Sequence, residues 1–109
     1  MESGSYKHLL VEDRGAVRIL SVNRPEALNA LSGAVIDELI AAVEAIADDA
    51  AIRGVVITGA GPKSFVAGAD IKEMSEMSPL EAMAFSEKGQ AMMLALRSLP
   101  FPTLAAVNG

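Results

Sequence analysis

The chain has 109 residues, with fourteen Asp or Glu against nine Lys or Arg, one His, no Cys and no Trp. That length suits one small domain. The missing cysteines exclude a disulfide framework, a thiolate metal site and a Cys nucleophile. A net charge of −5 with only 4% aromatic residues removes the basis for tight nucleic-acid binding. With 51% hydrophobic and 21% charged residues the composition is that of a folded chain, not a disordered one.

No segment approaches the roughly 18 consecutive apolar residues of a membrane span. Met1-Glu2-Ser3-Gly4 is neither basic nor followed by an apolar signal core. A soluble cytoplasmic protein, with no membrane or nucleic-acid partner, is the expectation, with a processed organelle protein as the alternative.

Residues 8–12 and 16–22 read as two strands, with Asp13-Arg14-Gly15 as a hairpin turn between them. In the second, Val17, Ile19 and Ser21 alternate with Arg18, Leu20 and Val22, and one face is more apolar than the other, with a weak contrast. Residues 23–31 form a loop, because Pro25 biases Arg24 away from the helical region. Ser32 then caps a helix over 33–47. Val35, Leu39, Val43 and Ile46 recur at helical spacing, and Ile36 and Ile40 widen the stripe. Asp37 and Glu38 lie near the positive end of its dipole.

Residues 54–58 contain the apolar run Val55-Val56-Ile57, the pattern of a strand covered on both faces. A Gly-rich loop over 59–68 follows, and a short helical turn begins near Asp70. Ser78-Pro79-Leu80-Glu81 combines a cap, a first-position proline and a Glu three after the cap. It starts a helix that runs to about Arg97, with Leu80, Met83, Ala84, Ala91, Leu94 and Ala95 as its buried stripe. Gly89 inside it costs up to about 1 kcal/mol against Ala. Pro100 and Pro102 end it. Residues 103–107 read as another buried strand, and Asn108-Gly109 as a turn.

Strand, strand, helix, strand, helix, strand describes an α/β layout with right-handed crossovers. If the last three strands are parallel, the loops after residues 22, 58 and 107 leave one edge of the sheet. Open α/β sheets bind ligands at that edge. The middle loop is the sharpest candidate. Ser64-Phe65-Val66-Ala67-Gly68-Ala69-Asp70 has small side chains where the chain turns into a helix, so a ligand can approach the backbone. Its N–H groups can hold an anion or a developing oxyanion. Asp70 is expected to cap the following turn and to point toward the helix, because a carboxylate aimed at an oxyanion would repel it. An ordinary Gly turn with an Asp cap would show the same pattern.

Gly59-Ala60-Gly61-Pro62-Lys63-Ser64 resembles a P-loop only superficially. The glycine that motif needs before Lys is Pro62 here, and the one four residues earlier is Ile57. The dinucleotide fingerprint fails as well, at Ser64. His8 reads as a solvated strand residue. Glu73, Glu76, Glu81 and Glu87 read as a solvated helix face, and Met92-Met93 as core or interface. With one His and no Cys, no metal-ligand spacing is present.

Four segments in this order resemble the enoyl-CoA hydratase (crotonase) superfamily. They are Asn23-Arg24-Pro25-Glu26-Ala27-Leu28-Asn29-Ala30-Leu31, Gly54-Val55-Val56-Ile57-Thr58-Gly59, Phe65-Val66-Ala67-Gly68-Ala69-Asp70-Ile71-Lys72-Glu73-Met74, and Pro102-Thr103-Leu104-Ala105-Ala106-Val107-Asn108-Gly109. The resemblance implies a spiral of ββα units, assembled as trimers or hexamers, and an acyl-CoA thioester substrate. Coenzyme A is then part of the substrate, and neither a separate cofactor nor a metal is implied. It implies that the Ala69 N–H is one of two oxyanion-hole donors. Glu26, Ala27 and Leu28, together with Ala67, Gly68, Ala69, Asp70 and Ile71, would line the coenzyme A site. Arg24 and Lys72 would help neutralise its phosphates. The reaction implied is addition of water to a trans-2-enoyl-CoA.

Family chains continue past Asn108-Gly109, into a Gly-rich segment with the second donor and then two catalytic glutamates. The expectation is therefore the amino-terminal portion of a crotonase-like domain, residues 1–109, truncated after the fourth predicted strand and inactive alone. A sheet ending there leaves an open edge, which favours association. Two other readings remain: a non-catalytic coenzyme A-binding or oligomerising module, and another superfamily reaction such as enoyl-CoA isomerisation or acyl-CoA hydrolysis.

Overall fold

The computed structural model describes residues 6–62 and 64–108. The amino-terminal stretch read for targeting, Lys63 of the rejected phosphate motif, and Gly109 of the last turn lie outside them. The first two strands are β1 (Leu9–Arg14) and β2 (Val17–Val22), paired antiparallel with Arg14 opposite Val17. The connection is thus the two residues Gly15 and Ala16, with Gly15 at φ 60°. The predicted turn lay one to two residues earlier. Asp13 stays in the strand because it faces Arg18 across the ladder and takes its guanidinium at 2.8 and 3.0 Å.

That pair also decides which face of β2 is buried. Arg18, Leu20 and Val22 point inward, with Arg18 held by Asp13 and, at 3.4 Å, by Asp49. A charge this far from water is tolerated because it is paired. The Arg18 guanidinium in turn holds the Asp13 carboxyl below the usual carboxylate range. His8 precedes β1, half-buried, and its backbone N–H donates to Glu38 Oε1 at 2.8 Å.

Helix α1 (Gly33–Ala47) begins at Ser32, whose Oγ accepts from the Val35 N–H at 3.2 Å. Its stripe falls largely where the spacing puts it, on Val35, Ile36, Leu39, Val43 and Ile46, with Ala42 added and Ile40 only half-buried. Each large side chain buried here contributes roughly 1.5–3 kcal/mol. Strand β3 (Gly54–Gly59) pairs parallel with β2, and β4 (Thr103–Ala105) pairs parallel with β3, so the sheet order is β1-β2-β3-β4.

Two predicted coverings fail. Val55 and Gly59 are buried in β3, but Val56 and Ile57 are only half-buried. All three residues of β4 are exposed, Leu104 by 64%. Helices pack on one face of this sheet, and β4 lies at its edge.

Between them run α2 (Ile71–Ser75) and α3 (Pro79–Arg97). The start of α3 is as read: the Glu81 N–H donates to Ser78 Oγ at 3.1 Å, and the Ser78 N–H to Glu81 Oε1 at 2.8 Å. Its buried stripe is not. The buried residues are Phe85, Met92 and Leu96, whereas Leu80, Met83, Ala84, Ala91 and Leu94 are exposed and Ala95 is half-buried. The observed face is rotated one residue, about 100°, from the expected one. Apolar residues surround this helix, so spacing could not select a face. Packing against α1 selects the side with the bulkiest groups. No described helix is long and apolar enough to cross a membrane.

Candidate active site

The loops after β2, β3 and β4 meet at the carboxyl edge of the three parallel strands. Each is shaped by contacts with the next. In the first, Pro25–Ala27 form one 3-10 turn, and Leu28 and Asn29 follow at φ 53° and 59°. Asparagine tolerates this left-handed conformation better than most side chains. Asn29 is fully buried. Its Oδ1 accepts from the Arg24 N–H at 2.8 Å, and its Nδ2 donates to the carbonyls of Ala60 and Ser64, both at 3.1 Å.

The second loop starts at Gly59, where the chain passes against itself. A Cβ there would lie 2.0 Å from Phe65 O and 2.4 Å from Ser64 O. The third loop closes over this point. Asn108 Nδ2 donates to Gly59 O at 2.7 Å and Gly61 O at 3.0 Å, and Oδ1 accepts from the Gly59 N–H at 3.4 Å. Thr58 Oγ1 donates to Ala106 O at 2.7 Å.

The first two loops then run side by side. The Ala67 N–H donates to Leu28 O at 3.2 Å, the Leu31 N–H to Gly68 O at 2.7 Å, and the Asp70 N–H to Leu31 O at 2.9 Å. Leu31 and Ala69 thus form an isolated parallel bridge. Such a bridge uses the groups that flank Ala69 and turns its own N–H to the opposite side. Among the described residues the Ala69 N–H has no acceptor. Gly68, at φ 92°, allows the bend that precedes it.

Ala69 lines a cleft of about 590 Å³, walled by Met74 of α2 and by the face of α3 that carries Phe85, Gly89, Met92 and Met93. Arg97 stands at the carboxyl end of that face, and among the described residues no carboxylate lines the cleft. A smaller apolar cavity of about 280 Å³ shares Leu31, Met92 and Met93 with it and reaches Leu104 on β4. The wall on α3 was not legible in the sequence, where Met92-Met93 read as core or interface. Met92 is core, and Met93 is 57% exposed beside the cleft.

Of the residues assigned to a ligand from the sequence, only Ala69 lines this cleft. Glu26, Leu28, Ala67, Gly68 and Ile71 are exposed along the seam of the two loops, and Ala27 is half-buried there. Asp70 caps α2, accepting from the Glu73 N–H at 3.0 Å on Oδ1. Arg24 Nη1 donates to its Oδ2 at 3.1 Å and to Ala30 O at 3.0 Å. The Glu73 N–H, then the Arg24 guanidinium, hold the Asp70 carboxyl below its ordinary range.

The Arg24 guanidinium is therefore engaged inside the protein, where the family resemblance implied phosphate binding. Lys72 is exposed. Glu73 is not a solvated face residue, because its Oε1 accepts from the Gly33 N–H at 2.8 Å and joins α2 to the start of α1. Among the described residues no His, Asp and Glu gather in a group fit to hold a metal ion.

A sequence model of the enoyl-CoA hydratase/isomerase family matches residues 12–109. The chain belongs to this family. Its relatives include the short-chain-enoyl-CoA hydratase of Clostridium acetobutylicum, 42% identical over 94% of this chain and 39% of that protein. The crotonyl-CoA hydratase of Syntrophomonas wolfei is 41% identical over 96% of this chain and 40% of its own length. The crystal structure of enoyl-CoA hydratase from Bacillus anthracis superposes with a TM-score of 0.91 at 35% identity, over 94% of this chain and 40% of that one. The chain thus spans about two fifths of the length of these relatives, and its α/β architecture is that of the crotonase fold.

Proposed function

We propose that these residues form the acyl-CoA-binding half of a hydratase site, with the Ala69 N–H as a donor to the thioester oxygen. The observation that carries this is the unpartnered Ala69 N–H at the mouth of an apolar cleft, turned away from the bridge with Leu31. The hydratases among its relatives support the chemistry.

In hydration, the oxygen of water adds to the β-carbon of a trans-2-enoyl thioester. The electron pair of the double bond moves toward the carbonyl, and negative charge builds on its oxygen. Protonation of the α-carbon then gives the 3-hydroxyacyl thioester. A donor already fixed at that oxygen is worth about 2.7–4 kcal/mol, because it need not reorganise as charge develops. Met74, Phe85 and Met93 offer the acyl chain an apolar wall. The exposed residues Glu26, Leu28, Ala67, Gly68 and Ile71 offer the rest of the thioester a place along the loop seam. Among the described residues no carboxylate lines the cleft, so in this reading its lining supplies the donor and the apolar wall but neither acid nor base, and these residues alone are expected not to turn over.

The test compares Ala69→Gly with Ala69→Pro in the full-length protein, using crotonyl-CoA. Glycine keeps the N–H and retains appreciable activity. Proline removes it and lowers turnover by about 10²–10³-fold. Equal activity in two well-folded variants would refute the assignment.

A further inference from the structure

We propose that Asn29 is a positioning residue for this site: its side-chain amide sets where the Ala69 N–H points. The inference rests on the assignment of Ala69 as donor and adds a residue to it.

Asn29 makes no contact with the cleft. Its three side-chain bonds instead join the two loops on which the donor depends. Oδ1 holds the Arg24 N–H, and Nδ2 holds the carbonyls of Ala60 and Ser64 at either end of the bend in the second loop. The orientation of the amide follows from these partners, because the reverse would set an oxygen against two carbonyl oxygens.

The neighbours of Asn29 make the remaining links. Leu28 O accepts from Ala67, and Leu31 bonds the groups on either side of Ala69. The Arg24 side chain reaches Asp70, the next residue along. The segment carrying Ala69 is therefore tied to the first loop before it, beside it and after it, and Asn29 is the buried centre of that arrangement. Leucine or alanine would leave the half-buried Ala60 and Ser64 carbonyls without this donor and would resist the left-handed backbone at φ 59°. Only a side chain with both a donor and an acceptor, tolerant of that backbone, satisfies all three partners.

The experiment measures hydration of crotonyl-CoA by full-length Asn29→Asp and Asn29→Gly, each also combined with Ala69→Pro. Aspartate keeps the shape and removes the donor. Glycine keeps the backbone conformation and removes the whole amide.

With melting curves confirming a folded protein, kcat is expected to fall about 10–10²-fold while KM changes less than about threefold. That split is the mark of an interaction made in the transition state. In the Ala69→Pro background the same substitutions are expected to add little, since the donor they aim is already gone. A merely structural role would give the same loss in both backgrounds, and that result would overturn the proposal. So would full kcat in a folded variant, or a rise in KM alone. Failure of both variants to fold would assign Asn29 to general stability and equally overturn it. If Ala69→Pro were itself fully active, the donor assignment would fall first, independently of Asn29.

Discussion

Replacing Gly59 by Ala tests the loop architecture at its tightest point. The added methyl meets backbone on the facing strand of the loop, 2.0 Å from Phe65 O and 2.4 Å from Ser64 O. No rotamer change can relieve this, because both atoms are main chain. Restoring even a close contact moves the end of β3 and the loop apart by about 1 Å, and overpacking of this kind typically costs 1–3 kcal/mol. The movement also pulls Gly59 from Asn108 and Ser64 from Asn29, bonds of 2.7 and 3.1 Å. Each is worth about 0.5–1.5 kcal/mol net.

A loss of about 3 kcal/mol follows, a large share of the roughly 5–15 kcal/mol that stabilises a domain. Urea unfolding of the full-length protein reads it. With a slope of about 1–3 kcal/mol per molar, the midpoint falls by about 1 M or more. Turnover falls as well, since Ala69 lies on the same loop. A folded Gly59→Ala protein with its midpoint and activity unchanged would refute the close approach and the loop geometry built on it.

Asp70 and Gly89 give two further tests. The folded pKa of Asp70 is lowered, so its contribution is present above the unfolded carboxylate pKa of about 3.9 and is lost as pH falls through the folded value. The melting temperatures of wild type and Asp70→Asn should therefore differ at neutral pH and converge only below about pH 4. A gap that stays constant into acid would contradict the role of its charge. Gly89→Ala in mid-helix should stabilise the protein by about 0.5–1 kcal/mol, as read from chemical denaturation. Its Cβ meets only Ile36 Cδ1, at an ordinary 3.8 Å. Destabilisation would mean that α1 and α3 lie closer than described.

Local chemistry made much of this fold legible in advance. Ser32 and Ser78 marked the helix starts, because a cap is satisfied by its own neighbours. The stripe of α1 identified its buried face, since its apolar residues fall mainly on one side. The order of elements implied that three loops share one edge, and the parallel pairing of β2, β3 and β4 puts them there.

What escaped depends on partners distant in sequence. The turn after β1 moved because Asp13 pairs with Arg18 across the strands. The face of α3 was chosen by its fit to α1, which periodicity in an apolar helix cannot report. Arg24 looked available for phosphate and is taken by Asp70. Asn29 and Asn108 read as loop residues, and nothing in their neighbours shows that each grips carbonyls or amides more than thirty positions away.

The account turns on whether the Ala69 N–H polarises the thioester carbonyl. The vibrational frequency of that carbonyl, in an unsaturated acyl-CoA bound to the full-length protein, reports this directly. It should fall below the free thioester value in wild type and in Ala69→Gly, and return much of the way in Ala69→Pro. A bound frequency equal to the free one, or an undiminished shift in a folded Ala69→Pro protein, would contradict the account.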